Sequence, residues 1–220
     1  MVVVYGQSYD FLTWFILSFI FFVLAIRCFC RPSLGDKYQF DLKVCICLIF
    51  MIFFSSIPIK KFMFENKIQN TVNHVIGTST IFFCQGLVDS MFNYQAAGFI
   101  ETDKNKIYLT YSTCKFLKHF IENPNDANMS EIFAVHVLTH EAIHATGVLN
   151  EAKTDCIAFQ RNHEMFRALG SSKTKSEEFA IKAYLKIPNP RRVGYYSKEC
   201  KPGGKLDQNY PNAVWQKALE

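Results

Sequence analysis

The chain has 220 residues, half of them hydrophobic, eight cysteines and a net charge of +5. That apolar content excludes intrinsic disorder. The charge is spread thinly, +3 up to Asn70 and +2 beyond it, so no basic stripe marks a nucleic-acid partner.

Apolar residues are unevenly placed, with 12 of the 22 phenylalanines in the first 65 positions. Residues 11–26 carry no charge, and the run reaches Cys30 if Arg27 snorkels to an interface. A second uncharged run, Val44 to Ile59, is a little short of the ~20 residues a spanning helix needs. Between them lies a polar linker broken by Pro32 and Gly35. The pattern predicts an anchor over 1–62, a hairpin of two transmembrane helices at about 11–30 and 42–60. Residues 1–10 hold no Lys or Arg and no small-residue cleavage site follows, which argues against a signal peptide. Arg27, Arg31, Lys37 and Lys43 on the linker side outnumber Lys60, Lys61 and Lys67 on the far side. Positive residues favour the cytoplasm, so this slight bias places the C-terminal part outside a bacterial membrane.

From Thr71 to Glu220 about 150 residues remain, enough for a single core. Residues 78–83 are β-branched and aromatic, and 98–110 read as strand, turn and strand. Helices are expected at 112–122, from Asn128 to about Thr146, from Asn150 to about Leu169, and at about 175–186. Asn128 with Glu131 forms a capping box, and Gly147 and Gly170 are stop signals. The 128–146 helix is apolar nearly all round, as a buried helix is. The predicted class is α+β: the helical hairpin, then a small sheet and a helical domain over 71–220.

The centre of the buried helix reads His140-Glu141-Ala-Ile-His144. Two imidazoles at i and i+4 share a helix face and can reach one metal ion, with the intervening Glu141 placed to act on a bound water. Glu151 and Asp155 follow at the start of the next helix. Glu151 can supply a third ligand, and Asp155 can accept the N–H of a ligand imidazole. Two histidines and three carboxylates within sixteen residues would be costly to bury without a cation. One Zn2+ ion is the expected cofactor. His136 lies a turn earlier, but it is about 12 Å from His144 along the helix, so the three histidines cannot share one ion. His136 is read as a core residue or a support for a ligand, and His74 and His119 have no partner motif. Candidates to stabilise an oxyanion are His163, Tyr184, Tyr195 and Tyr196, with none preferred.

His140-Glu-x-x-His144 followed by Asn150-Glu151-Ala-x-x-Asp155 resembles the zinc signature of the thermolysin-like gluzincin metallopeptidases. The resemblance implies His140, His144 and Glu151 as zinc ligands, Glu141 as general base and Asp155 as support for a ligand imidazole. The gap between the two motifs is far shorter here than in thermolysin. The chain is more closely similar to a group of small actinobacterial proteins with His-Glu-x-x-His-x-x-Gly-x-x-Asn-Glu-Ala and a following Cys, here Cys156. Their late Cys-x-Pro-Gly-Gly-x-Leu-Asp resembles Cys200 to Asp207. That similarity covers roughly Phe82 to Trp215 and implies an extracytoplasmic metalloprotease.

Cys28, Cys30, Cys45 and Cys47 lie in or beside the apolar runs and read as apolar filler. Cys84, Cys114, Cys156 and Cys200 form an even set without Cys-x-x-Cys spacing, which in an exported domain reads as two disulfides. Three pairings are open, and Cys84 with Cys114 and Cys156 with Cys200 is favoured. The expected function is a membrane-anchored zinc metallohydrolase, a peptidase acting on peptide or protein substrates. The alternative is a non-catalytic zinc-binding membrane protein with a structural or partner-binding role.

Overall fold

A computed structural model describes residues 9–30, 37–92, 96–187, 194–210 and 213–218. Residues 31–36 of the expected linker, the Asn189-Pro190 pair that follows the last expected helix, and the side chains of Cys28 and Cys30 lie outside the described residues, while residues 37–43 of that linker are helical. The chain divides into two compact units, Met1–Glu65 and Asn66–Glu220.

The first unit holds α1 (Tyr9–Cys30) and the first part of α2 (Lys37–Ile76). Here α1 packs along α2 through aromatic rings, with Phe21 centred 5.1 Å from Phe50 and 5.3 Å from Phe54. The hydroxyls of Ser18 and Ser55 meet at 2.7 Å, so two polar groups in an apolar pair satisfy each other. Phe19, Ile49, Ile52 and Phe53 face outward and are exposed, an apolar surface unlike that of a soluble monomer. Among the described residues one helical stretch, Val44–Ile76, is long and apolar enough to cross a membrane, while the apolar stretch Thr13–Arg27 is shorter.

The second expected span was bounded at about residue 60, yet α2 continues to Ile76. Lys60 and Lys61 end the apolar run without ending the helix. Lys61 and Glu65 pair at i and i+4 across 3.9 Å. Beyond them Ile68 and Val72, again one turn apart, are fully buried in the core of the second unit. The apolar pattern changes there from all round to one stripe, while the helix itself runs on.

In the second unit β1 (Ile81–Cys84) runs parallel to β3 (Lys106–Leu109), and β2 (Gly98–Glu101) pairs antiparallel with β3, in the order β1-β3-β2. A 3-10 turn over Thr102–Lys104 joins β2 to β3, the strand–turn–strand that the sequence predicts. A short helix, α3 (Leu87–Phe92), precedes β2. Then come α4 (Tyr111–Glu122), α5 (Met129–His144), α6 (Glu151–Ala168) and α7 (Lys173–Lys186).

The helix starts follow from their caps. Asn128 Oδ1 accepts from the backbone N–H groups of Ser130 and Glu131, while Glu131 Oε2 accepts from the N–H of Asn128. Asn150 caps α6 by accepting from the N–H of Lys153 at 2.9 Å. Gly147, at φ 91°, adopts the left-handed backbone that ends α5 and turns the chain into α6. The core joins Phe120, Phe166 and Phe179, whose rings lie within 6.3 Å of one another, to Ile107, Leu109, Ile132 and Leu138. Two disulfides, Cys84–Cys114 and Cys156–Cys200, tie β1 to α4 and α6 to the tail.

Candidate metal centre

The centre is built on α5 and α6, which lie antiparallel. The pairing shows it: His144 near the end of α5 meets Glu151 at the start of α6, and His136 earlier on α5 meets Asp155 and Asn162 further along α6. His136, His140, Glu141 and His144 are all buried, and Glu151 and Asp155 are partly so. Gly98 on β2 brings the sheet against this helix. A Cβ there would stand 2.6 Å from Leu109 Cδ2, 3.0 Å from Val137 Cγ1 and 3.2 Å from Glu141 Cγ. The strand therefore touches Glu141 because position 98 has no side chain.

Glu151 Oε2 stands 3.0 Å from His140 Nε2 and 3.3 Å from His144 Nε2. The other ring nitrogens decide what those distances mean. His144 Nδ1 faces the Val148 carbonyl at 2.6 Å, and a carbonyl oxygen only accepts, so Nδ1 carries the proton. His140 Nδ1 faces Asp155 Oδ1 at 3.2 Å and donates likewise. Each neutral ring then presents a bare lone pair from Nε2 towards an acceptor-only carboxylate oxygen. Three lone pairs converge on one point, and only a cation there makes the arrangement favourable.

Without a metal, a proton takes that role. Burial lowers the pKa of His140, but its hydrogen bonds with Asp155 and Glu151, aided by the charge of Glu141, outweigh burial and raise it to about 9. The hydrogen bond from His140 holds the Glu151 carboxyl below its ordinary range, against an opposing push from burial. Burial also pushes Asp155 up, yet its contacts with His136 and His140 hold it far below the usual carboxylate range.

Among the described residues two overlapping groups of side chains could hold a metal ion: His140, His144 and Glu151, and His136, His140 and Asp155. Neither contains both His136 and His144, in line with their separation along the helix. Two imidazole nitrogens and one carboxylate oxygen are a donor set suited to zinc. The residues present thus fit such an ion.

The four oxyanion candidates separate. Tyr195 stacks on His140, ring centres 5.7 Å apart. Tyr184 donates to the Cys200 carbonyl at 3.0 Å, and Tyr196 is exposed. His163 lines a separate cleft of about 740 Å3 with His74, Arg167, Lys173, Glu177 and Lys217. His119, without a partner motif in the sequence, meets Glu131 Oε1 at 2.7 Å. Sequence reasoning missed the Val148 carbonyl and Asn162 as members of the site. The Val148 carbonyl is a main-chain group in the turn between α5 and α6, and Asn162 meets His136 only through the packing of α6 on α5.

Comparison with known proteins finds no matching family model, no matching curated protein and no matching solved structure.

Proposed function

We propose that this chain is a membrane-anchored zinc-dependent metallohydrolase with peptides as its substrate class, in keeping with the gluzincin-like motif. The observation that carries the reading is the convergence of three lone pairs, from buried His140 Nε2, buried His144 Nε2 and half-buried Glu151 Oε2, with Glu141 buried on the same helix. When bound, zinc supplies a Lewis acid that polarises a scissile carbonyl and acidifies a water. The chain supplies the rest. His140 and His144 are held in their binding tautomers by Asp155 and the Val148 carbonyl. The Glu141 carboxylate takes a proton from the attacking water and returns it to the leaving amine nitrogen. Tyr195, stacked on His140, walls the site and is the one oxyanion candidate of the four whose ring contacts a ligand side chain.

Two disulfides favour an oxidising compartment, and the Val44–Ile76 helix favours a membrane anchor. Together they support a catalytic unit on the outer side of a bacterial membrane. The deciding experiment is Glu141→Gln in the full-length chain. Retained zinc with loss of peptide cleavage is expected. Wild-type protein that holds zinc but cleaves nothing across a broad peptide library would leave the metal a structural or partner-binding role.

A further inference from the structure

The Asp155 side of His140 carries more machinery than one supporting carboxylate. His136 Nε2 reaches the same oxygen that His140 Nδ1 reaches, Asp155 Oδ1, at 3.0 Å. On the far side of that ring, Asn162 Nδ2 lies 3.1 Å from His136 Nδ1. Asn162 is wholly buried and His136 is 3% exposed. Phe159 stacks on the His136 ring at 4.4 Å and fixes its plane.

Here every ring nitrogen is matched to a partner. The Asn162 amide donates to His136 Nδ1, which leaves the His136 proton on Nε2, directed at Asp155. Asp155 Oδ1 accepts from His136 on one side and His140 on the other. This group therefore needs no cation, although its atoms are as close together as those around Glu151. One group is left over: Asn162 Oδ1 is buried with no partner among the described residues. Turning the amide over would place that oxygen on His136 Nδ1 and demand a second proton on the ring. A buried polar atom left unmatched calls for an explanation, and holding the His136 tautomer provides one.

We propose that His136 and Asn162 are positioning residues for the metal centre, forming with Asp155 a buried hydrogen-bonded column that holds His140 with Nε2 bare and aimed at the ion. The inference rests on the metal-binding reading above. Asn162 sets the proton of His136. His136 pins the Asp155 oxygen midway between two rings one turn apart on α5. Asp155 so fixed keeps the proton of His140 on Nδ1.

The test measures zinc dissociation from full-length chain in detergent, by competition with a chromophoric chelator. His136→Leu is expected to weaken zinc by roughly 10–100-fold, the range for loss of an outer partner of a metal-ligating histidine. His136→Gln, whose amide N–H can still donate to Asp155, is expected to recover most of that loss, which a purely packing role would not predict. Nitrogen NMR of the wild-type imidazoles is expected to show the His136 proton on Nε2 and a bare Nδ1. That readout decides the matter if His136→Leu does not fold. Unchanged zinc affinity in folded His136→Leu, a His136 proton on Nδ1, or two zinc ions per chain would each overturn the column. His140→Ala separates the two readings. Zinc content unchanged in that variant removes the metal centre itself, whereas its loss there beside wild-type affinity in His136→Leu removes only the column.

Discussion

The two sides of His140 are built from the same residue types at nearly the same distances, and they differ in kind. On the Nε2 side, Glu151 lies 3.0 Å and 3.3 Å from two imidazole nitrogens that are bare in the neutral rings, whose one proton sits on Nδ1. On the Nδ1 side, Asp155 lies 3.0 Å and 3.2 Å from two nitrogens that both carry protons towards it. Proximity of His and carboxylate therefore does not identify a metal site. Following each ring to its second nitrogen separates the two sides, because that partner dictates which lone pairs remain.

Experiments that strip each side in turn break or sharpen this contrast. The largest effect is expected for His140→Ala, the residue both sides share: zinc content by elemental analysis should fall to background. Glu151→Gln should weaken zinc by more than the roughly 100-fold limit expected of an outer partner, since it removes a ligand's charge. Asp155→Ala should fall within that outer range, roughly 10–100-fold by chelator competition. Equal losses in these two variants would erase the distinction between the sides.

Proton release is the next test. With the His140 pKa near 9 in the metal-free protein, zinc uptake at pH 7 must expel its Nε2 proton, so calorimetry in buffers of different ionisation enthalpy should detect about one proton released. The contribution of His140 to metal-free stability is full below its unfolded pKa of about 6.5 and is lost as pH rises towards about 9. Glu151 and Asp155, both lowered, contribute above their ordinary carboxylate range and lose that contribution as pH falls. The thermal midpoint of chelator-treated protein should therefore decline from pH 6.5 to 9. That decline should be smaller with zinc, whose binding strengthens with pH. The smallest effect on zinc is expected from Cys200→Ser, below tenfold. Its cost falls on stability instead, about 4 kcal/mol in the chain-entropy model for a bond spanning 44 residues.

The ligand side was legible in the sequence because its parts are local. His140, Glu141 and His144 share two turns of one helix, and Asn150 and Gly147 announce where the next helix must begin. The sheet was legible too, through alternating strands around a turn at Thr102–Lys104. The outer column was not, since His136 and Asn162 are 26 positions apart and meet only through the packing of α5 on α6. The length of α2 was hidden for a different reason. Lysines that end an apolar run look like a helix end, while the Ile68 and Val72 stripe beyond them is too short to stand out alone.

Tyr195 lies on the segment between the end of α7 and Cys200, and Cys200 is bonded to Cys156, the neighbour of Asp155. The segment whose Tyr195 ring covers His140 is thus fastened covalently to the helix that carries Glu151 and Asp155. A newly made chain in a reducing compartment would hold all its ligands and lack that fastening. Holding Tyr195 over His140 then becomes a matter of the chain's history, set by oxidation as well as by folding.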